Sequence, residues 1–377
     1  MEETVQSGRN SGIPLGGLGT GSVEIRGDGY CYEWHIFNNQ PWGSGPPTDV
    51  MERDGLYFGL VALPAAGRPR CVILGAPGPY HPFLNDPYNM PWIEHPARIE
   101  FTGTFPVARL KYIMDPDFPV SVELKAFSPF IPLDVKNSGI PCAVFEFSIV
   151  KNTVEDVEVR MFAALKNGVL YDKPGVKSEI FFNGCGIIMS RESDDYHHSS
   201  FGSLAVSTTG GRVSYSFDWI KQRQIWETLM QGKDLFLFKE RQGRAFPYGA
   251  LAKAVSIREE SLVTIPFFLS WYFPNHYECR GRDTEAPRNI GHMYSTWFND
   301  AESVCSYVLE NFTYLTTETT EFLDTFYGSS PDRWILDAVN AQLTTIPKSS
   351  WWDRQGRFGI WEGLGCCGLQ TMDITHY

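Results

Sequence analysis

Two carboxylates near the end of the sequence have the surroundings of a sugar-processing site. Glu362 lies between Trp361 and Gly363, and Asp373 follows eleven residues later. An aromatic ring can stack on the apolar face of a sugar, and glycines let the backbone come close to a ligand. Glycoside hydrolysis uses two carboxylates in one cleft, so this segment indicates that chemistry. The glycines between the two acids argue against a continuous helix, so their sequence spacing gives no distance in space.

Other interpretations of the aspartates stay open at this point. Asp373 can instead brace its loop by accepting hydrogen bonds from the backbone. Asp332 is explained by a helix N-terminus, where a negative charge is favourable, and Asp353 by an exposed turn. We therefore expect Asp332 and Asp353 to lie outside the site. His376 is close in sequence, but proximity alone gives it no role.

The composition excludes several classes of partner. The 377 residues carry a formal net charge of -12, which repels phosphate backbones, so we expect no nucleic acid partner. The first ten residues contain acids and lack the apolar run of a secretory signal. The longest apolar stretch, residues 263–274, is too short to span about 30 Å of hydrocarbon. Eight scattered cysteines do not form a disulfide framework, and we predict a cytoplasmic protein.

We expect no cofactor, and the sequence shows no cluster of metal-ligating residues from which a metal requirement could be inferred. The glycine-rich segment 16–21 superficially resembles a nucleotide-binding loop, but no strand feeds it and the P-loop lysine is absent. A tight hairpin or a loop that faces a second domain is the better interpretation. Cys366 and Cys367 are adjacent and lack the spacing of a metal site, so buried thiols are expected there.

The sequence before residue 280 has the pattern of a large antiparallel β-sandwich. Short alternating or continuous apolar runs are bounded by Gly, Pro, Asn and Asp, and we find no intervening helical periodicity. Prolines suit the edges and loops of such a fold. The clearest predicted strands are residues 142–150, 157–162, 180–189, 213–217 and 262–271. Trp271, Tyr272 and His276 end the last of these and are expected in the core or at a domain interface.

Helical periodicity begins after Tyr294. Ala301, Val304, Val308, Phe312 and Leu315 recur at three- and four-residue steps, which predicts an amphipathic helix. A second helix is expected to start at Ser330-Pro331 and to stop at Pro347, with one apolar face. That face comprises Ile335, Val339 and Leu343.

The change of pattern predicts a β-domain over residues 1–285 and a helical unit over 286–377. About 90 residues supply two or three helices, and the apolar faces of these helices still need partners. We therefore expect the chain to contain only the first part of the second domain.

Two stretches resemble glycoside hydrolase family 116, which includes the non-lysosomal glucosylceramidase and microbial β-glucosidases. One runs from Gly12 through the glycine-rich segment to Trp34. The other runs from Tyr294 to the end and contains the block from Glu362 to Asp373.

The resemblance implies a β-sandwich followed by an (α/α)6 barrel, and retaining hydrolysis of β-glucosides or glucosylceramide-like substrates. It also implies that Glu362 is the nucleophile, that Asp373 binds sugar hydroxyls and that the acid/base aspartate lies downstream of this chain. Trp361 is expected to bind substrate by stacking. A chain without the acid/base should be inactive alone. The alternative is a non-catalytic carbohydrate-binding or scaffold protein in which Glu362 only packs; the oligomeric state is not indicated.

Overall fold

The computed structural model describes strands up to residue 272 and predominantly helices from residue 301 onward. The described residues are 12–37, 51–171, 173, 178–184, 186–217, 222–236, 248–258, 262–277 and 288–362. The strands are β1 (Gly12–Leu15), β2 (Val23–Arg26), β3 (Cys31–Tyr32), β4 (Leu56–Pro64), β5 (Arg70–Ile73), β6 (Ile93–Glu94), β7 (Arg98–Thr104), β8 (Val107–Ile113), β9 (Val120–Phe127), β10 (Cys142–Lys151), β11 (Val157–Lys166), β12 (Ser178–Phe182), β13 (Gly186–Arg191), β14 (Ser203–Thr208), β15 (Arg212–Phe217), β16 (Tyr248–Ile257), β17 (Val263–Tyr272), β18 (Ser350–Trp352) and β19 (Phe358–Ile360). The helices are α1 (Val135–Ser138), α2 (Gln222–Met230), α3 (Ala301–Tyr327), α4 (Arg333–Leu343) and α5 (Thr345–Ser349), with a 3-10 turn at Met293–Thr296.

Two large sheets contain most of the strands. The eight-stranded sheet has the order β12-β13-β14-β17-β10-β9-β8-β7, and the six-stranded sheet has the order β15-β16-β11-β4-β5-β6. Among the described strands, neighbours pair antiparallel except β5 with β6. β1, β2 and β3 form a separate small sheet, and β18 pairs with β19.

The main core lies between the two large sheets. Phe58 of the six-stranded sheet lies 5.1 Å from Phe145 and 4.9 Å from Phe147, between ring centroids, and 5.8 Å from Phe267. The last three residues belong to the eight-stranded sheet, and all four side chains are buried. Burial of these rings removes a large apolar area from water and holds the sheets face to face. The predicted β-rich part followed by helices is confirmed.

Two local predictions in this part were wrong. Residues 180–189 form not one strand but the hairpin β12–β13, whose turn contains Gly184 with φ +101°. The apolar run hid a turn signal at Asn183-Gly184. Helix α2 was missed altogether, although Ile225, Trp226 and Leu229 are buried at helical spacing. Its window is short and polar apart from these residues, so the periodicity was weak.

The first predicted helix is confirmed as α3. Asp300 caps it: its Oδ1 accepts a hydrogen bond from the Ser303 N–H at 2.7 Å, and Ser303 Oγ accepts from the Asp300 N–H at 3.2 Å. This reciprocal arrangement satisfies backbone donors that a helix start leaves unpaired. Phe312 on α3 lies edge-on to Phe268 of β17, 5.0 Å between centroids. The helix therefore packs on the outer face of the eight-stranded sheet.

The bounds of the second predicted helix were wrong by several residues. α4 starts at Arg333, with Asp332 as its N-cap residue, and ends at Leu343. Pro347 lies inside the separate short helix α5 rather than marking the end of α4. These three described helices do not define an (α/α)6 barrel, which stays a prediction.

The apolar face predicted for α4 was also wrong. Leu336 and Asn340 are its buried residues, whereas Ile335 is 37% and Val339 46% exposed. The Nδ2 of Asn340 donates to the Phe105 carbonyl at 2.7 Å, and this hydrogen bond compensates for the burial of its amide. The buried face of α4 therefore includes a polar residue and differs from the stripe of apolar residues in the sequence.

Candidate functional site

Glu362 follows a short hairpin formed by β18 and β19. In this hairpin Ser350 pairs with Ile360. The Trp361 N–H donates to the Ser349 carbonyl at 2.9 Å, which continues the pairing one step beyond β19. Glu362 is therefore the second residue past the strand, attached directly to an anchored neighbour.

The side chains of Trp361 and Glu362 are both half-buried. Within the described residues, the Glu362 carboxylate has neither an ion pair nor a hydrogen bond. The indole Nε1 of Trp361 is buried and has no hydrogen-bond partner in the same part of the chain. Glu362 thus offers a partly exposed carboxylate to a ligand, next in sequence to a half-buried tryptophan. Asp373 and His376 lie outside the described residues.

Asp353 closes the turn of this hairpin, and the expectation of an exposed turn was wrong because its side chain is fully buried. Oδ1 accepts from the backbone N–H groups of Gln355 and Arg357, both at 2.9 Å. Oδ2 accepts from Arg357 Nε at 2.6 Å. These donors compensate the cost of burying a charge, and they fix the shape of the turn.

We expect Asp353→Ala to lower the free energy of unfolding by about 2 to 4 kcal/mol, since it leaves two backbone donors and a guanidinium without their acceptor. Urea unfolding of the purified chain measures this. Asp332→Ala is the matched control, because Asp332 is exposed and makes no side-chain cap hydrogen bond. Equal losses for the two variants would contradict the role given to Asp353.

The glycine-rich loop 16–21 contacts the hairpin, as the interpretation of a loop facing the second unit predicted. The Gly19 N–H donates to Ser350 Oγ at 2.8 Å. Gly19 has φ +69°, and a Cβ built on it would overlap the Trp352 side chain. The two segments that carry the family resemblance are therefore in direct contact, although they lie at opposite ends of the described chain.

A buried stack of aromatic rings lies beside this contact. His276 and His292 stack with centroids 4.5 Å apart, and His292 stacks on Tyr294 at 5.0 Å. Trp351 of the hairpin lies edge-on to His276 at 6.1 Å. The expected core or interface role of Trp271 is confirmed as a core role: the side chain is buried in the main core, and its Nε1 donates to the Thr20 carbonyl at 2.9 Å.

Burial sets the protonation of both histidines. It lowers the pKa of His292 to about 4, with the charge of Arg354 acting in the same direction and the Gly19 carbonyl opposing it. Burial, and next the neighbouring His292, lower the pKa of His276 well below its usual value. His292 Nδ1 lies 3.1 Å from the Gly19 carbonyl, so the neutral ring donates from that nitrogen.

Sequence reasoning missed His292 and Ser350. In the sequence His292 follows Ile290 and Gly291, two residue types that are often buried, and this could have indicated its burial. The sequence around Ser350 has no feature that distinguishes it. In the part of the chain that the structure describes, no group of His, Cys, Asp or Glu side chains is arranged to hold a metal ion. Of the helices described, none combines the length and the apolar character needed to cross a bilayer.

Residues 12–315 match the family described as "beta-glucosidase 2, glycosyl-hydrolase family 116 N-term". The chain belongs to this family. A comparison with curated proteins finds no match.

Two solved structures show weak similarity. A putative kojibiose phosphorylase from the human microbiome has a TM-score of 0.38 at 10% identity, over 83% of this chain and 35% of that one. A polysaccharide lyase has a TM-score of 0.28 at 11% identity, over 71% of this chain and 33% of that one. The chain thus spans about a third of each, and neither likeness bears on its function.

Proposed function

We propose that this chain is part of a retaining β-glycosidase that acts on β-glucosides or glucosylceramide-like substrates, with Glu362 as the nucleophile. The family membership supports a glycosidase and does not favour the alternative of a non-catalytic carbohydrate-binding protein. The single observation that carries the residue assignment is the position of Glu362. Its half-buried carboxylate follows an anchored hairpin and is unpaired among the described residues.

The proposed reaction proceeds in two steps. The ionised carboxylate of Glu362 attacks the anomeric carbon, and the bond to the leaving oxygen breaks as that oxygen takes a proton from an acid/base residue. Water, deprotonated by the same acid/base residue, then attacks the glycosyl ester and restores Glu362. The resemblance assigns the acid/base role to an aspartate downstream of Tyr377.

Two further residues have proposed roles in binding. Trp361 stacks on the apolar face of the sugar, and Asp373 accepts hydrogen bonds from its hydroxyls. Trp361 is only half-buried, which is compatible with stacking. No cofactor is assigned a part in either step.

The domain organisation and location are part of the same proposal. We assign residues 1–285 to an N-terminal β-domain and 286–377 to the first helices and the nucleophile loop of an (α/α)6 catalytic domain. The position of the strands before residue 272 and of the long helix from residue 301 supports that boundary. The cytoplasm is the proposed compartment.

Hydrolysis of an aryl β-glucoside, followed by NMR, tests the reaction. The full-length protein is expected to release the β-anomer of the sugar first, since two inversions at the anomeric carbon give net retention. The 377-residue chain, measured in parallel, is expected to show no significant turnover. Release of the α-anomer first would refute the retaining mechanism, and strong turnover by the 377-residue chain would refute the downstream acid/base.

A further inference from the structure

We infer that the glycine-rich loop 16–21, acting through Gly19, positions Glu362 for its attack on the sugar. This inference rests on the proposed function, because it takes Glu362 as the nucleophile. Gly19 is then a positioning residue, because it acts through its contacts with the hairpin that precedes Glu362.

The loop is itself firmly attached to the β-rich part of the chain. The Leu18 N–H donates to the Ser138 carbonyl at 2.7 Å. The Thr20 carbonyl accepts from the indole of Trp271, a buried residue of β17, at 2.9 Å. The residues on both sides of Gly19 are therefore held by the sandwich, so Gly19 presents a fixed surface to the hairpin.

Gly19 uses both of its backbone polar groups to hold residues of the helical half. Its N–H donates to Ser350 Oγ at 2.8 Å, and its carbonyl lies 3.1 Å from His292 Nδ1. Ser350 and His292 are fully buried. Buried hydrogen bonds of this kind are costly to leave unmade, so the hairpin cannot shift without a penalty.

The two residues that Gly19 holds are coupled to opposite ends of the hairpin. Ser350 pairs with Ile360, two residues before Glu362. His292 forms an isolated antiparallel bridge with Asp353, which closes the turn at the other end. One glycine thus fixes both the base and the tip of the element that leads into Glu362.

Only glycine can occupy this position without moving the hairpin. A Cβ at residue 19 would overlap Trp352 Cβ and would lie 3.0 Å from the Trp352 backbone nitrogen. The overlap involves β18 itself and not the far end of a flexible side chain. An added methyl group must therefore displace the hairpin, and a misplacement of about 1 Å at a reacting group can cost about a hundredfold in rate.

The test compares Gly19→Ala with Gly184→Ala in the full-length protein. Gly184 also has a left-handed backbone, φ +101°, but an added Cβ would meet nothing within 4 Å. The control therefore introduces similar backbone strain without an overlap. The measurement is the rate of covalent trapping by 2-deoxy-2-fluoro-β-glucosyl fluoride per titrated active site, together with kcat and KM for an aryl β-glucoside.

We expect Gly19→Ala to trap about a hundredfold more slowly per active site, with kcat falling far more than KM changes. Gly184→Ala should retain the wild-type rate. A purely structural role predicts a different result, in which fewer active sites are titrated but each reacts at the wild-type rate. That result would overturn the inference.

Ser350→Ala is a second variant in case Gly19→Ala does not fold. This substitution removes the hydroxyl that accepts from the Gly19 N–H and adds no atoms. Because one buried hydrogen bond is lost, we expect trapping per site to be about tenfold slower. An unchanged rate per site in Ser350→Ala would overturn the inference. Glu362→Gln separates the positioning role from the proposed function. Wild-type activity in Glu362→Gln refutes the proposed function. Loss of activity in Glu362→Gln, together with wild-type trapping rates in Gly19→Ala and Ser350→Ala, refutes the positioning role alone.

Discussion

Glu362→Gln in the full-length protein is expected to reduce hydrolysis of an aryl β-glucoside by at least about a thousandfold, because loss of a nucleophile removes the covalent route. Gln has nearly the shape of Glu, so the half-buried position beside Trp361 should accept it. Within the described residues, no hydrogen bond or ion pair of Glu362 is lost. Stability should therefore be nearly unchanged, and steady-state kinetics with thermal unfolding on the same samples checks both expectations.

The matched control is Glu321→Gln, which makes the same chemical change on the exposed surface of α3. It should leave turnover within experimental error of the wild type. Glu362→Ala should regain activity with added azide, which can attack the anomeric carbon in place of the carboxylate and give an α-glycosyl azide. Wild-type turnover by Glu362→Gln would remove the nucleophile assignment.

Acidification is expected to weaken the contact between the loop and the hairpin through His276 and His292. Each ring is buried in its neutral form, and its pKa in the folded protein lies below the unfolded value of about 6.5. Above about pH 6.5 neither state takes up a proton, and the full stability is present. As the pH falls below that value the unfolded chain protonates first, so stability is lost.

The size of this loss follows from linkage. Each histidine costs about 1.4 kcal/mol per pH unit within its window. For His292, whose pKa is lowered to about 4, the window runs from about pH 6.5 down to about 4, and the total is about 3 kcal/mol. Urea unfolding of the 377-residue chain between pH 7.5 and 4.5 measures the slope.

The His276→Phe variant isolates this effect from the titration of carboxylates. Phenylalanine keeps a flat ring against His292 but cannot take up a proton, so the variant should show a shallower loss of stability between pH 6.5 and 4.5. His197→Phe is the control, since His197 lies exposed in a loop. Identical pH slopes in the wild type and His276→Phe would contradict the assignment.

The sequence alone predicts those strands and helices whose apolar residues repeat regularly over many positions. The strands β10, β11 and β17 and the helix α3 were all predicted, because their apolar residues repeat over six or more positions. α2 was missed because its window is short and mostly polar, and the β12–β13 turn was missed because it interrupts an apolar run only briefly. The face of α4 was wrong because its buried side includes Asn340, which an apolar stripe cannot reveal.

The site was predictable only in part. The roles of Glu362 and Asp373 were predicted from a resemblance to a family motif and stay predictions, and Asp373 lies outside the described residues. The burial of Asp353 depends on Arg357 four residues later and on the bridge to His292, which the sequence does not encode as a pattern. The contact of Gly19 with Ser350 joins residues more than three hundred positions apart, so only the folded chain shows it.

The most direct measurement is the site of covalent labelling. The full-length protein is incubated with 2-deoxy-2-fluoro-β-glucosyl fluoride, digested, and its labelled peptide is sequenced by mass spectrometry. One fluoroglucosyl group per molecule is expected, attached through an ester to Glu362. A label on any other residue, or complete inactivation without a label on Glu362, would contradict this expectation.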